Sequence, residues 1–179
     1  ETAQGLIPDA GWKRRRYETP WYAGETLSVV IGQGYMIATP LQMAVATAAL
    51  ANGGRVFRPM FVKQILDPER NIVRSFEPER IAKVDVAEEH LMIVREAMLE
   101  VVLGESGTGK EAALVDVSVA GKTGTAQVVS GVRTVQEEIP RHHRDHAWFV
   151  AFAPADRPEV AVVCLLEHAG KGGGTAAAP

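Results

Sequence analysis

The stretch AWFVAFAPADRPEVAVVCLL, residues 147–166, decides the fold class of this chain. Its two ends, residues 147–153 and 159–166, are rich in aromatic and β-branched side chains, which favour strands. Between them, residues 154–158 combine two prolines with an aspartate, a composition typical of a turn. Because two strands joined by so short a connection must be antiparallel, this stretch predicts a β-hairpin.

A third strand is predicted before the hairpin, at about residues 114–129. Val115, Val117 and Val119 alternate along its first half and therefore share one face. We expect the three strands to form one antiparallel sheet. The connection to the hairpin, residues 130–145, is polar and long, and we expect it to be the most mobile internal segment.

The first of two predicted helices begins at a capping box. Thr39 is the N-cap, Pro40 is the first helical residue, and Gln42 reaches back to the cap. The helix, residues 39–52, is apolar on nearly every side, so we expect it to be buried near the sheet. An Asn-Gly-Gly sequence at residues 52–54 ends it.

The second predicted helix covers residues 86–103. Asp85 and Glu88 resemble another capping box at its start, and Gly104 stops it. Its apolar residues fall on one stripe, formed by Leu91, Val94, Met98, Val101 and Val102. Between the two helices, residues 61–66 and 72–76 are predicted to be short strands around a turn.

The two ends of the chain show little periodicity. Residues 1–38 are rich in glycine, proline and aromatic residues and are predicted to be loop with short extended pieces. Residues 171–179 are a low-complexity tail that we expect to be poorly ordered. Helices and an antiparallel sheet that separate along the chain indicate an α+β fold.

The composition bounds the function. The chain has 179 residues, enough for one domain, and a net charge of −3, which argues against a dedicated nucleic-acid binder. No apolar run is long enough to span a membrane. The single cysteine, Cys164, excludes an internal disulfide and is predicted to be a small buried core residue. The chain begins at Glu1 without a signal peptide, and we interpret it as a piece of a longer protein.

The segment most suggestive of chemistry is GKTGT, residues 121–125. On a strand, Lys122 and Gly124 point to one face and Thr123 and Thr125 to the other. A lysine in a half-buried strand needs a partner, and a strand glycine often marks the close approach of a ligand. The segment therefore suits an edge that receives an extended anionic ligand. The alternative is an edge strand whose lysine only deters aggregation.

Three other patterns could carry chemistry, and for each a structural interpretation is favoured. GESGTGK at residues 104–110 fits the start of a phosphate-binding loop, but Glu111 stands where a serine or threonine is required, so we predict a connecting loop. His142, His143 and His146 lie close to an aspartate, but their spacing fits no common metal site. The basic run at residues 13–16 could meet an anionic partner but is favoured as a solvated face.

Several segments together with the KTG triplet resemble class B penicillin-binding proteins. The similar segments are PWYAGET at 20–26, GQGY at 32–35, TPLQMA at 39–44, ALANGG at 49–54 and RDHAWFVAFAP at 144–154. The first of these resembles in particular the elongation-type branch, penicillin-binding protein 2. The superfamily combines KTG with Ser-x-x-Lys and a Ser-x-Asn type motif.

The resemblance implies part of a transpeptidase fold, an antiparallel sheet packed with helices, and a D,D-transpeptidase that cross-links peptidoglycan through an acyl-serine. None of the five serines in the chain, Ser28, Ser75, Ser106, Ser118 and Ser130, begins Ser-x-x-Lys or Ser-x-Asn. We therefore expect residues 1–179 to be the C-terminal portion of the domain, without the segments that carry those motifs and without the family's final helix. This chain alone is expected to be inactive.

The roles that the resemblance implies fall on the KTG segment. Lys122 supplies positive charge, and the hydroxyls of Thr123 and Thr125 bind the substrate carboxylate. Gly124 lets the ligand backbone approach, and the Thr125 backbone N–H is half of the oxyanion hole. No metal and no cofactor are expected.

Partners and location are also implied by the resemblance alone. They are peptidoglycan stem peptides, β-lactam antibiotics, a SEDS-type lipid-II polymerase, and a catalytic domain in the periplasm anchored to the inner membrane. Two alternatives stay open: a serine β-lactamase or β-lactam sensor of the same superfamily, and a non-enzymatic interaction module.

Overall fold

Three long antiparallel strands organise the molecule. The computed structural model describes residues 3–129 and 139–179. Its elements, in chain order, are α1 (Ala10–Tyr17), α2 (Ala23–Val30), α3 (Pro40–Ala51), β1 (Arg55–Phe57), β2 (Gln64–Leu66), β3 (Ile72–Ser75), β4 (Arg80–Lys83), α4 (Glu88–Leu103), β5 (Ala120–Ala126), β6 (His146–Ala153), β7 (Val160–Leu166) and α5 (Gly173–Ala176).

The main sheet has the strand order β5-β6-β7, with both pairs antiparallel. This confirms the predicted three-stranded sheet and its hairpin. Its core centres on Phe149 and Phe152 of β6, where α4 contributes Met98 and Val102. Cys164 is only partly buried, where it packs against this core from β7.

The first predicted strand is shorter than its sequence pattern. Residues 114–119 are not a strand, and Val115 is 100% exposed, whereas β5 begins only at Ala120. The partner strand explains the difference. Ala120 lies opposite Phe152, one residue before β6 ends, so residues earlier than Ala120 have almost no partner backbone with which to form a ladder.

Helix α3 confirms its predicted capping box. The hydroxyl of Thr39 accepts from the Gln42 N–H at 3.1 Å, and the Gln42 amide oxygen accepts from the Thr39 N–H at 2.9 Å. The expectation of full burial is wrong, because only Thr47, Ala49 and Ala51 are buried. Leu41, Val45 and Ala46 of the same helix line an open apolar cavity of about 810 Å³.

Helix α4 ends at Gly104 as predicted, but its start differs. Ala87 is the N-cap and has no side-chain cap hydrogen bond, so the capping box predicted for Asp85 and Glu88 is wrong. Only part of the predicted stripe is buried, namely Leu91, Met98 and Val102. The hairpin of β2 and β3 confirms the strands predicted in residues 61–76, although both strands are short and exposed.

The prediction of loop for residues 1–38 is wrong, because this segment contains α1 and α2. Asp9 caps α1 by accepting from the Trp12 N–H at 2.6 Å. The basic run, residues 13–16, lies within this helix, and its members differ in exposure. Arg14, Arg15 and Arg16 are exposed, but Lys13 is 3% exposed and lies 2.5 Å from a carboxylate oxygen of Glu25. A contact between two helices, rather than a periodic apolar face, therefore stabilises this region.

The expectation of a disordered tail is also wrong. Residues 173–176 form α5, and Ala177 and Ala178 are buried in the core beside Phe149. The glycines before them are required by close packing. A β-carbon on Gly173 would lie 2.0 Å from the Trp148 carbonyl oxygen, so α5 can lie flat on the sheet only with glycine there.

Candidate functional site

The KTG segment lies on β5, an outer strand of the main sheet. Among the described strands, only β6 pairs with β5, so its other side is a free edge. Lys122, Gly124 and Ala126 share one face of β5. A cleft of about 380 Å³ separates this face from the segment of residues 31–43. The open strand edge predicted from the sequence is therefore present, and it lines a cleft.

The missing side chain of Gly124 shapes the floor of the cleft. Gly124 lies opposite Trp148, and a β-carbon on Gly124 would come within 3.2 Å of the Trp148 β-carbon. That distance is tighter than most real contacts, so a larger residue would push against the indole. The glycine thus leaves room along the strand beside Trp148.

Lys122 does not stay on its own face. Its ammonium nitrogen donates to the Thr123 carbonyl oxygen at 2.8 Å and lies 3.5 Å from the Thr123 hydroxyl oxygen. The lysine is exposed, and its chain reaches over the free edge. The positive charge is therefore held at the edge itself, where a ligand lying along β5 would meet it.

Thr123 and Thr125 occupy the opposite face, as the strand alternation predicted. The Thr123 hydroxyl lies 3.0 Å from the hydroxyl of Thr108. A β-carbon on Gly172 would lie 3.4 Å from the Thr125 hydroxyl, so this hydroxyl borders the start of α5. The structure thus brings Lys122 next to Thr123 and places the Thr125 hydroxyl between the strand and the C-terminal turn.

The backbone of Thr125 faces the free edge. The side-chain amide of Gln33 donates to the Thr125 carbonyl oxygen at 2.7 Å. In an antiparallel strand the N–H and C=O of one residue point to the same side. The Thr125 N–H therefore also points to the edge, away from β6.

His146 stands at the end of the cleft, opposite Ala126. Its Nδ1 accepts from the backbone N–H of His168 at 2.9 Å, so the neutral ring carries its proton on Nε2. The other two histidines of the predicted cluster, His142 and His143, lie on a separate exposed turn. Within residues 3–129 and 139–179 there is no group of three or more side chains that could hold a metal ion.

Shifted pKa values occur away from this cleft. Arg58 holds the pKa of the Glu79 carboxyl below its usual range from 2.6 Å, and hydrogen bonds from Asn71 lower the pKa of Asp67. A hydrogen bond from Lys13 lowers the pKa of Glu25. These groups belong to surface turns and helix contacts rather than to the KTG strand.

The phosphate-loop pattern is a connecting loop, as predicted. It follows α4, and the Gly109 N–H donates to the Val101 carbonyl at 2.9 Å, which folds the loop back on the helix. The Lys110 side chain donates to the Glu105 carbonyl. The loop nevertheless borders the site, because it supplies Thr108. The sequence carries no signal for this contact. For Gln33, which sequence reasoning also missed, the glycines on either side are the feature that could have indicated a special turn.

Two further expectations concern mobility and membrane insertion. The predicted mobile segment falls mostly on residues 130–138, which lie outside the described residues. Its described end includes Asp145, whose carboxylate accepts from the Val128 N–H at 3.4 Å. No helix in the described part of the chain is long and apolar enough to cross a membrane.

The fold and the edge strand define a class of protein: an α+β domain with an antiparallel sheet whose outer strand carries an open KTG segment. Residues 3–179 match the family described as penicillin binding protein transpeptidase domain. The chain therefore belongs to this family.

Similar proteins agree with that assignment. The chain is 41% identical over 189 aligned positions to peptidoglycan D,D-transpeptidase MrdA of Haemophilus influenzae, covering 100% of this chain and 28% of that protein. Among solved structures, it is 39% identical to Pseudomonas aeruginosa PBP2 in complex with WCK 5153, with a TM-score of 0.79 over 99% of this chain and 36% of that one. Helicobacter pylori PBP2, solved in a complex with MreC, is 31% identical with a TM-score of 0.78, over 98% and 30%.

These relatives are much longer than the chain. It spans 28% of the Haemophilus influenzae protein and about a third of the Pseudomonas aeruginosa structure. The activity, substrates and partners of the whole protein are therefore taken up below as proposals.

Proposed function

We propose that this chain is the C-terminal portion of the transpeptidase domain of a peptidoglycan D,D-transpeptidase. The single observation that carries the proposal is the free edge of β5, where the Lys122 ammonium and the outward backbone of Thr125 lie together. An extended peptide that ends in a carboxylate is the kind of ligand this edge suits, because strand addition supplies backbone hydrogen bonds and the lysine supplies charge.

The proposed reaction has two acyl-transfer steps. A serine, contributed by a segment other than residues 1–179, attacks the carbonyl of the penultimate D-alanine of a stem peptide. A Ser Oγ–C bond forms, the C–N bond to the terminal D-alanine breaks, and the serine proton is delivered to the leaving amine. In the second step an amine of a neighbouring stem attacks the ester, an amide forms, and the proton lost by that amine returns to the serine oxygen.

Each residue of the KTG segment has a role in this scheme. Lys122 attracts the carboxylate of the terminal D-alanine, with the hydroxyls of Thr123 and Thr125 as hydrogen-bond donors beside it. Gly124 keeps the floor low enough for the peptide to lie against the strand. The Thr125 N–H donates to the oxyanion that forms in each step. Removing one such donor typically slows a reaction roughly 100- to 1000-fold.

β-Lactams, partners and location follow from the same proposal. A β-lactam carries a carboxylate and a reactive carbonyl, so it should enter the same edge and acylate the serine. The whole protein is proposed to be anchored in the inner membrane with this domain in the periplasm, and to work with a SEDS-type lipid-II polymerase. The MreC complex of the Helicobacter pylori relative supports membership in a larger assembly for this chain as well.

The test is acylation of the whole protein by a fluorescent penicillin. A stable adduct of one penicillin per protein is expected, followed by slow hydrolysis. Rapid turnover of the antibiotic would indicate a β-lactamase instead, and the absence of an adduct would indicate an interaction module. The chain of residues 1–179 alone should show no adduct by intact mass, because none of its five serines lies in Ser-x-x-Lys.

A further inference from the structure

The turn that carries Gln33 has no role in the scheme above, yet it makes a long-range contact with the KTG strand. The Gln33 side-chain nitrogen donates to the Thr125 carbonyl oxygen at 2.7 Å, across 92 residues of sequence. It therefore contacts the same residue whose backbone N–H is assigned to the oxyanion.

The backbone of Gln33 is fixed by the end of α2. Gly32 has a φ of +75°, and its N–H donates to the Val29 carbonyl at 3.0 Å, while the Gln33 N–H donates to the Ser28 carbonyl at 2.8 Å. This pair of hydrogen bonds is the Schellman arrangement, which ends a helix with a left-handed residue.

The second glycine of the turn keeps the chain close to α2. Gly34 also has a positive φ, +73°, and a β-carbon there would come within 3.3 Å of the Ser28 β-carbon. Because both neighbours of Gln33 hold conformations that favour glycine, the turn presents the amide to β5 from a defined position.

The contact covers an acceptor that an extended ligand needs. A peptide that pairs with the free edge donates its N–H groups to the outward carbonyls of β5. Between Lys122 and Thr125, the outward carbonyls are those of Thr123 and Thr125. In this structure the first accepts from Lys122 and the second from Gln33, so both are occupied by side chains of the chain itself.

We propose that Gln33 is a specificity-determining residue that competes with the ligand for the Thr125 carbonyl. A ligand with a side-chain amide N–H must displace or share this hydrogen bond, whereas a ligand without one leaves it in place. Gln33 thus sets how much the hydrogen bond from the ligand's own amide N–H adds to binding at the site. The inference rests on the proposed function, since it concerns ligands of the same edge.

The experiment compares two probes on the whole protein and on its Gln33→Met variant. Benzylpenicillin has a side-chain amide N–H, and penicillanic acid has the same bicyclic core without the side chain. Methionine keeps the length of glutamine but cannot donate. We expect Gln33→Met to raise the second-order acylation rate of benzylpenicillin by roughly two- to tenfold, the range of one net hydrogen bond. The rate for penicillanic acid should change by less than about twofold.

A second variant of Gln33 and a control at a distant glutamine test whether the effect is specific to this contact. Gln33→Asn keeps the amide but shortens the side chain by one methylene, so it should act in the same direction. Gln64→Met, on the exposed strand β2, removes a glutamine away from the site and should leave both rates unchanged. Circular dichroism establishes that each variant is folded.

The outcomes separate this inference from the proposed function. If the wild-type protein forms no penicillin adduct, the proposed function fails and this inference fails with it. A different result would be that the wild type is acylated but Gln33→Met lowers the acylation rate of benzylpenicillin, or changes the rates of both probes equally. Gln33 would then stabilise β5 rather than compete with the ligand for the Thr125 carbonyl. In that case the competition is wrong while the transpeptidase assignment stands.

Discussion

The hydroxyl oxygens of Thr108 and Thr123 lie 3.0 Å apart and share a hydrogen bond between the loop after α4 and the KTG strand. Thr123 is one of the two threonines proposed to bind the substrate carboxylate, and its hydroxyl also lies 3.5 Å from the Lys122 ammonium. A residue of the phosphate-loop pattern therefore contacts a group of the proposed site.

The first prediction follows from that contact. Thr108→Val keeps the shape of the side chain but removes the hydroxyl, so the Thr123 hydroxyl is free to rotate. We expect penicillin acylation of the whole protein to slow by roughly two- to fivefold, because one net hydrogen bond is worth about 0.5–1.5 kcal/mol and this pair is exposed. Thr123→Val should slow it more, since it removes the binding group itself. Thr175→Val, an exposed threonine on α5, is the control, and an equal loss there would refute the role of Thr108.

The second prediction concerns charge at the edge of β5. Lys122→Ala removes the ammonium that the carboxylate of a stem peptide or penicillin would meet. A charge-assisted hydrogen bond contributes about 1.5–3 kcal/mol, so the acylation rate should fall at least about tenfold. Lys63→Ala removes an exposed lysine beside β2 and should have no effect. If a folded Lys122→Ala protein is acylated at the wild-type rate, the KTG triplet is only the edge of a sheet and not part of the binding site.

The third prediction uses the direction of the Thr125 backbone. Thr125→Pro deletes the N–H assigned to the oxyanion hole, and because that N–H faces the free edge, the substitution removes no ladder bond to β6. The protein should fold, and acylation should slow roughly 100- to 1000-fold. Thr125→Val keeps the N–H and should cost much less.

Gly124→Pro is the contrasting variant for this prediction. By the same alternation the Gly124 N–H faces β6, so proline there should disrupt the sheet and lower the thermal unfolding midpoint. Thermal unfolding and acylation are measured on all three variants. Equal loss of stability in Thr125→Pro and Gly124→Pro would contradict the assigned backbone direction.

The parts of the fold that the sequence predicted are those with a strong local signal. The capping box at Thr39 and the hairpin strands β6 and β7 can each be predicted from a few neighbouring residues. The KTG segment was likewise placed on the correct strand with the correct faces. Local propensity and alternation are sufficient at these positions, because they agree with the tertiary environment.

The errors occur where long-range contacts override local patterns. Helix α1 has no apolar stripe, and its Lys13 contacts α2 in a way that no window of sequence reveals. The alternating residues 114–119 lack a partner strand, and the glycine-rich tail packs on the sheet, where Gly173 fits against Trp148. Gln33 and Thr108 were missed for the same reason, since each reaches the KTG strand from a distant segment.

The fourth prediction tests the packing of the tail. Gly173→Ala places a β-carbon against the Trp148 carbonyl and the Gly124 backbone, so α5 must shift away from the sheet and expose Ala177 and Ala178. Overpacking of this kind costs roughly 1–3 kcal/mol, so the unfolding midpoint should fall. Gly24→Ala, on α2 with nothing within 4 Å of its new β-carbon, is the matched control and should be neutral or stabilising. Calorimetry of the whole protein would decide, and an unchanged midpoint for Gly173→Ala would mean that the tail does not pack in this way.

The fifth prediction concerns the pH dependence of the contact between α1 and α2. The pKa of Glu25 is lowered in the folded state, first by the hydrogen bond from Lys13 and then by the Tyr22 N–H. A lowered folded-state pKa stabilises the fold at pH values above the ordinary glutamate pKa, near 4.5, and this stabilisation is lost as the pH falls through the lowered value. We therefore expect Glu25→Gln to lower the unfolding midpoint at pH 7, where it leaves the ammonium of Lys13 buried beside a neutral partner.

The difference between wild type and Glu25→Gln should shrink as the pH is lowered below 4.5, because the wild-type carboxylate then becomes neutral as well. Lys13→Met combined with Glu25→Gln should recover much of the loss at pH 7, since methionine fills the buried space without a charge. Glu79→Gln is the comparison, because its ion pair with Arg58 is exposed on both sides and should matter less. A pH-independent difference for Glu25→Gln, or no recovery in the double variant, would show that the buried charge of Lys13 is not what joins the two helices.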